Sequence, residues 1–478
     1  MKKLLPLIFT VFSLSLLAQE EKKIWTLREV VDHAVSNNLT IKRSTYGVET
    51  GQVNSLQAKA AMLPTANGSA NYGFSWGRNI DPTTNQFVEQ RINSINASLN
   101  GSLLLWNGFR LFYSMKQSET ELDALNEDLI KARNDVILNV ITLYLTVVFN
   151  KELYSNAQYQ LNSTNEQLER TRKLSEAGSV PRADVLSLEA QSATNELNLI
   201  QRENALNLSL LQLKQALQLP ASNPMDVEIP QIDITGQLVL DKTADEIYEI
   251  AIMSMPEIKA AKLRQKTSAF ALKSARGNYY PRLSLNGSLS TLYSSARQEF
   301  TPDGGFIVGD PQPWGNVVSS GEAVEYTPIS PTGTFSTVGY QDQFKTNLGK
   351  GLGFNIQIPI FNGLNTRSNV QRAAINRELA DVTLRENENR LRQTVETAYN
   401  DAIAAAKTYV ASEKQVNATG EAFRATKQRF DNGAVNFVEY QTAENDLFRA
   451  QSDLLRAKYD FIFKKKVLDF YQGLPLDL

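Results

Sequence analysis

The 478 residues include no cysteine. That excludes a disulfide-stapled exported domain, a thiolate metal site and a lipid carried on an N-terminal cysteine. Histidine occurs once, as His33. A Ser-His-Asp catalytic set would have to use it, and no Gly-x-Ser-x-Gly elbow accompanies it. A metal centre needs several His, Cys or carboxylate ligands close together, so Asp32-His33 reads as a surface pair on a helix. Neither sign of charge is in excess. A net charge of −2 gives no electrostatic footprint for nucleic acid, and none is expected as a partner. Beyond the N-terminal segment there is no run of 18 apolar residues; the nearest, Val136–Phe149, is interrupted by Asn139.

Met1–Ala18 has the form of a secretory signal. Lys2 and Lys3 make a positive start, Leu4–Leu17 an apolar stretch, and Ala18 a small residue suited to cleavage before Gln19. The apolar stretch is short for a membrane span. The chain is therefore expected to be exported, with residues 1–18 removed.

What is present in quantity is repetition, the pattern that decides architecture first. Trp106-Asn107-Gly108-Phe109 returns as Phe361-Asn362-Gly363-Leu364. Ala177-Gly178-Ser179-Val180 returns as Asn432-Gly433-Ala434-Val435, and Leu219-Pro220 as Leu474-Pro475. All three pairs share one offset of 255 (361 − 106, 433 − 178, 475 − 220). A shorter repeat, Thr26–Pro64 with Thr243–Pro281, is offset by 217 (243 − 26) and is helix-like up to its Pro. The second half therefore carries 38 extra residues (255 − 217) before its Phe-Asn-Gly. The expected organisation is a first repeat over 19–220, a linker over 221–242 and a second repeat over 243–478. Val136–Phe149 now has a counterpart, Leu391–Ala404, which holds Arg392, Glu396 and Asp401. A membrane helix would not have so polar a twin, so both read as helix faces packed in a core.

Before each hairpin the period changes to two. Ile95, Ala97, Leu99, Leu103 and Leu105 alternate with Ser94, Asn96, Ser98, Asn100 and Ser102. Leu352, Phe354, Ile356 and Ile358 alternate with Gly351, Gly353, Asn355 and Gln357. Segments around Ala70–Trp76 and Leu283–Leu289 behave alike. A soluble sheet also alternates, but its wet face usually carries Lys, Glu and Thr. Small neutral residues suit the inside of a membrane barrel, and Trp76, Trp106 and Phe361 suit an interfacial girdle. Four strands cannot close a barrel, and open edges are not tolerated in lipid, so copies must pool their strands. Asn79–Gln90 is expected to be a short loop and 296–345, with five prolines, a long irregular surface loop. Gly349-x-Gly351-x-Gly353 has the look of a nucleotide loop but lies in an alternating strand with no helix after it.

Between Gly108 and Gly178 there is neither Pro nor Gly, and between Gly363 and Gly433 only Gly420. About 65 residues of helix measure on the order of 100 Å. The return helices, from Asp184 and Glu439, are shorter. Each half is expected to supply two helical struts and two strands.

These features together resemble the TolC-like outer-membrane efflux family. The likeness rests on the doubled Trp/Phe-Asn-Gly after an alternating strand, the turns Gly178–Leu186 and Gly433–Tyr440, and the Leu-Pro ends. It implies an α+β membrane protein: a homotrimer whose chains close a twelve-stranded outer-membrane β-barrel in lipid. It also implies a long periplasmic α-helical barrel closed at its far tip. The family exports drugs, metals or proteins, docked to a periplasmic membrane-fusion adaptor and an inner-membrane pump of RND or ABC type, with no cofactor and no enzymatic chemistry. The alternatives are the outer-membrane component of type I protein secretion and a coiled-coil periplasmic adaptor. The docking tips are expected at Gly178, Ser179 and Val180 and at Gly433, Ala434 and Val435. The family's two gate aspartates fall on Glu439 and Thr442, so one acidic ring is expected rather than two. Asp184 matches the family's lock aspartate, but Phe430 and Val435 stand where its Tyr and Arg partners should be, so closure must rest on other contacts.

Overall fold

The computed structural model describes residues 23–230, 234, 238 and 240–474. The expected signal segment 1–18 and Pro475 of the second Leu-Pro end lie outside the described residues. The first half runs β1 (Lys23–Trp25), α1 (Leu27–Asn37), α2 (Leu39–Ala60), β2 (Thr65–Ser75), β3 (Asn79–Ile80), β4 (Phe87–Val88), β5 (Ile92–Trp106), α3 (Arg110–Glu176) and α4 (Arg182–Ala216). The second runs β6 (Met225–Val227), α5 (Ala244–Ser254), α6 (Pro256–Arg276), β7 (Arg282–Ser294), β8 (Gln298–Val308), β9 (Gln312–Asn316), β10 (Ala323–Tyr326), β11 (Ile329–Thr337), α7 (Tyr340–Thr346), β12 (Gly349–Gln357), α8 (Asn365–Asp431) and α9 (Phe437–Tyr471).

The repeats of sequence are repeats of backbone. α3 and α8 each have 67 residues, and α4 and α9 each have 35. The left-handed residues Gly108, Phe109, Gly178 and Gln218 have their counterparts, 255 further on (363 − 108, 473 − 218), in Gly363, Leu364, Gly433 and Gly473. Both α1 and α5 begin with a capping box, Thr26 with Glu29 and Thr243 with Glu246. There the hydroxyl satisfies a free helix N–H while the carboxylate reaches back to the cap. The repeat over 26–64 is two helices rather than one. Asn38 and Met255 are both extended, with ψ 130 and 128. Pro256 disfavours the helical conformation at Met255. At Asn38 the side chain instead accepts from the Thr40 N–H at 2.8 Å.

The chain divides into two compact units. One, from residues 54–118 and 268–376, holds a four-stranded antiparallel sheet of order β12-β7-β5-β2. Its register keeps like with like. Ser69, Ser98, Ser290 and Gly349 form one row, and Asn67, Asn100, Ser288 and Gly351 the next but one. Ser69 and Ser98 share a hydrogen bond of 2.8 Å, and Ser102 donates to Asn286 at 2.9 Å. The opposite face carries Tyr72, Leu99, Leu289, Leu352, Phe354 and Ile356, all exposed in the single chain. β2 and β12 are the edges.

The expectation of an irregular 296–345 is corrected. β8 and β11 form an antiparallel ribbon with β9 and β10 paired beyond it, and α7 closes the segment. Pro302, Pro313 and Pro331 sit on ribbon strands, where one free edge needs no N–H donor. The short loop 79–90 likewise holds the β3–β4 pair.

The other unit is helical. Its main core gathers Val140, Ile141, Tyr144 and Val148 of α3 with Leu213 of α4 and Phe461 of α9. α3 is long and apolar enough to cross a membrane by composition, and one face of this stretch, with Val140, Ile141, Tyr144 and Val148, is buried in the unit's core. At the start of the linker β6 pairs in parallel with β1, Tyr144 donates to Glu228 O at 2.8 Å, and Lys151 meets Asp226 at 2.9 Å.

Candidate functional site

Each long helix ends in a glycine turn of the same construction. At the first, Ser179 N–H donates to Leu174 O at 2.8 Å and Gly178 N–H to Ser175 O at 3.0 Å. At the second, Ala434 N–H donates to Arg429 O at 2.8 Å and Gly433 N–H to Phe430 O at 2.9 Å. These bonds satisfy the last helix carbonyls and need one left-handed residue, which glycine adopts without steric cost. Nothing lies within 4 Å of a Cβ built on Gly178 or Gly433. The backbone angle, not space, requires the glycine.

The two turns are brought together. A cleft of about 560 Å³ is lined by Val180, Pro181 and Asp184 from the first and by Phe430, Val435 and Phe437 from the second. Arg170 of α3 pairs with Asp431 of α8 at 3.7 Å across it. Ser179, Gly178 and Ala434 are exposed, whereas Val180 and Val435 are half-buried. Phe437, next to the second turn, is 6% exposed.

The reason is an aromatic cluster that sequence reasoning missed. Phe430 stacks on Tyr440 with centroids 4.8 Å apart, and Phe437 and Phe423 pack against the same pair. Leu188 of α4 is buried with them. Phe423 and Phe430 lie on α8 but Phe437 and Tyr440 lie past the turn on α9, so no helical spacing in the sequence links the four rings. Phe430, which falls where the resemblance sets the lock Tyr, packs its ring against Tyr440 and Phe437. Among the described residues no ion pair holds the Asp184 carboxylate.

Glu439 sits at the start of α9. Its N–H donates to the Asn436 cap at 2.9 Å, and its carboxylate meets Arg429 of α8 at 3.1 Å with both side chains about half exposed. The carboxylate also suits the positive end of the helix. Thr442 is exposed and its hydroxyl bonds back to Val438 O at 2.8 Å, so it offers no charge. Deeper along α9, Glu444 accepts from Ser163 at 3.1 Å and from Tyr440 at 3.5 Å. Burial pushes the Glu444 carboxyl above its ordinary value and raises the Tyr440 hydroxyl too.

Comparison with known proteins matches this architecture. The model of the outer membrane efflux protein family fits residues 30–218 and 247–462, both repeats. The chain belongs to the outer membrane efflux protein family. It is similar to the outer membrane efflux protein BepC of Brucella suis, 23% identical over 91% of this chain and 83% of that one. It is also similar to the alkaline protease secretion protein AprF of Pseudomonas aeruginosa, 20% identical over 99% of this chain and 89% of that one. The solved structure of the outer membrane protein VceC from Vibrio cholerae shares the fold. Its TM-score is 0.74 at 14% identity, over 94% of this chain and 97% of that one. The efflux family consists of outer-membrane channels, and this chain is one of them, in the outer membrane of a Gram-negative cell. Its two-faced sheet and its glycine-turned hairpins are the parts that such a channel needs.

Proposed function

We propose that three copies close their sheets into one twelve-stranded barrel, with small polar residues lining the bore and the apolar face against lipid. The helices continue the bore through the periplasm as a tunnel, and the two glycine turns dock a periplasmic adaptor fed by an inner-membrane pump. The chain itself carries out no chemistry and holds no cofactor. The observation that carries this reading is the sheet: its two faces differ as lumen and lipid differ, and its β2 and β12 edges are unpaired within the chain. Unpaired backbone in lipid costs several kcal/mol per group, about enough to make a lone sheet untenable. Edge-to-edge joining of β2 to the next copy's β12 removes that cost. Both efflux of small molecules and secretion of proteins are compatible with the shared fold. A periplasmic adaptor is the lesser alternative, because an adaptor has no use for a lipid-facing sheet.

The test is extraction and mass. The protein should leave membranes only with detergent and run as three chains in it. Release by salt or alkali alone, or a stable inserted monomer, would refute the reading.

A further inference from the structure

Beside the aromatic cluster, three hydrogen bonds line one stretch of the contact between α3 and α9, with the Tyr159 and Phe448 rings 6.2 Å apart among them. Asn156 donates to Ser452 at 3.2 Å, Gln160 to Asn445 at 3.4 Å and Ser163 to Glu444 at 3.1 Å. Positions 156, 160 and 163 follow one face of α3 at helical spacing. This polar seam joins the first hairpin to the second. Water can replace each neutral bond when the helices part, whereas parting an apolar seam would expose surface that water does not welcome.

Of these six side chains only Glu444 titrates. It is set among Ser163 of α3, Tyr440 one turn away on α9, and the Lys427 ammonium of α8, all of which favour the carboxylate. Burial opposes them and is the larger influence. Tyr440 is in turn affected by Asp431 of α8 and Arg170 of α3, the charged groups facing it from those helices.

We propose that Glu444 makes the parting of α3 from α9 proton-dependent, so that the end bearing the two glycine turns opens more readily as pH rises. This rests on the channel reading above. While the seam is together, burial favours the neutral carboxyl. Once the helices part, water solvates the carboxylate and it ionises at its ordinary value. The closed seam therefore binds the proton more tightly than the open one. Its support for closure is complete below the ordinary carboxyl value and is lost as pH rises through the raised one. Each unit of difference between the two states shifts the balance about tenfold per copy.

The absence of cysteine allows a direct test. Asn156→Cys with Ser452→Cys should cross-link across the closed seam of the full-length protein in detergent. The pair is compared with the same pair carrying Glu444→Gln, at matched pH from 5.5 to 8. Thiolate formation changes equally in both, so the ratio of rates reads the seam. The two should come closer as pH falls toward the ordinary carboxyl value, and at pH 8 the Glu444 protein should lag several-fold. A ratio that does not change with pH overturns the proposal. In planar bilayers the conductance of the cysteine-free protein should rise with pH, and that of Glu444→Gln should stay low and flat; parallel profiles also overturn it. Absence of any channel in either protein would count against the channel reading, while the cross-link ratio still decides the role of Glu444.

Discussion

Phe437→Ala tests what holds the second turn. The ring is 6% exposed and lies 6.2 Å from Phe430 and 6.5 Å from Tyr440 between centroids. Truncating a buried Phe to Ala costs about 3–5 kcal/mol, including the cavity it leaves. The ring-pair preference, about 0.5–1.5 kcal/mol, is already inside that figure. Phe437 borders an open cleft, so its neighbours can collapse into part of the space. The expected loss is therefore near the lower end, about 3 kcal/mol. The helix start itself survives, because Asn436 still caps it through the Glu439 N–H. The loss should thus appear as local opening of the α8–α9 end, roughly a hundredfold more frequent. Hydrogen exchange in detergent measures this: amides of 423–445 should exchange faster by about that factor, with β12 unchanged as the internal reference. Val438→Ala, at a neighbouring site 65% exposed, should change little. Wild-type exchange in Phe437→Ala would mean that the turn hydrogen bonds and the Arg170–Asp431 pair hold the end without the rings.

Three further outcomes are expected. Gly108→Ala should sharply reduce folded protein recovered from membranes, because its Cβ would meet Gly277 O at 2.6 Å; Gly363→Ala, with nothing within 4 Å, should cost only the left-handed strain of about 1–2 kcal/mol. Equal yields would refute this asymmetry. If Glu439 lines the pore, Glu439→Ala should reduce block by periplasmic divalent cations in planar bilayers, and Asp446→Ala less so; unchanged block would leave Glu439 as the partner of Arg429 alone. Gly178→Pro and Gly433→Pro should abolish efflux while membrane insertion stays normal, since Pro fixes φ near −65° where these turns need 71 and 73; normal efflux would remove the turns from docking.

The sheet was legible because its signal is strictly local. Alternation of Ser94–Leu105 specifies both faces and, once strands pair, the register that aligns Ser with Ser. The hairpins were legible because a repeat displays itself. The 296–345 ribbon was not, since its prolines and glycines mask alternation: Phe300, Pro302, Phe306 and Val308 do lie opposite Phe335, Gly333, Pro331 and Ile329. The tip was half legible. The repeat located the two turns, but not the rings packed beside the second one. Phe430 contacts Tyr440 only because the turn folds α8 back on α9, and no window of sequence contains that return.

The two halves agree in backbone and differ in what they touch, and the difference says where each constraint lies. Gly108 is required twice over, by its angle and by Gly277 and Tyr280 packed against it, whereas Gly363 is required by its angle alone. At the other end the angles at Gly178 and Gly433 are nearly equal, yet the rings are gathered on the second hairpin, with Leu188 the first hairpin's buried contribution. Identical angles are what a duplicated helix–turn–helix needs to exist at all. The unequal side chains cannot serve that need, since either copy folds its turn without the other's set. They decide instead how firmly each hairpin is tied to its neighbour. Rings secure α8 to α9 within the second hairpin, while hydrogen bonds of Asn156, Gln160 and Ser163 join that hairpin to the first. The rings and the hydrogen bonds thus tie different pairs of helices, and the apolar core that packs Phe461 of α9 against α3 joins the hairpins further along.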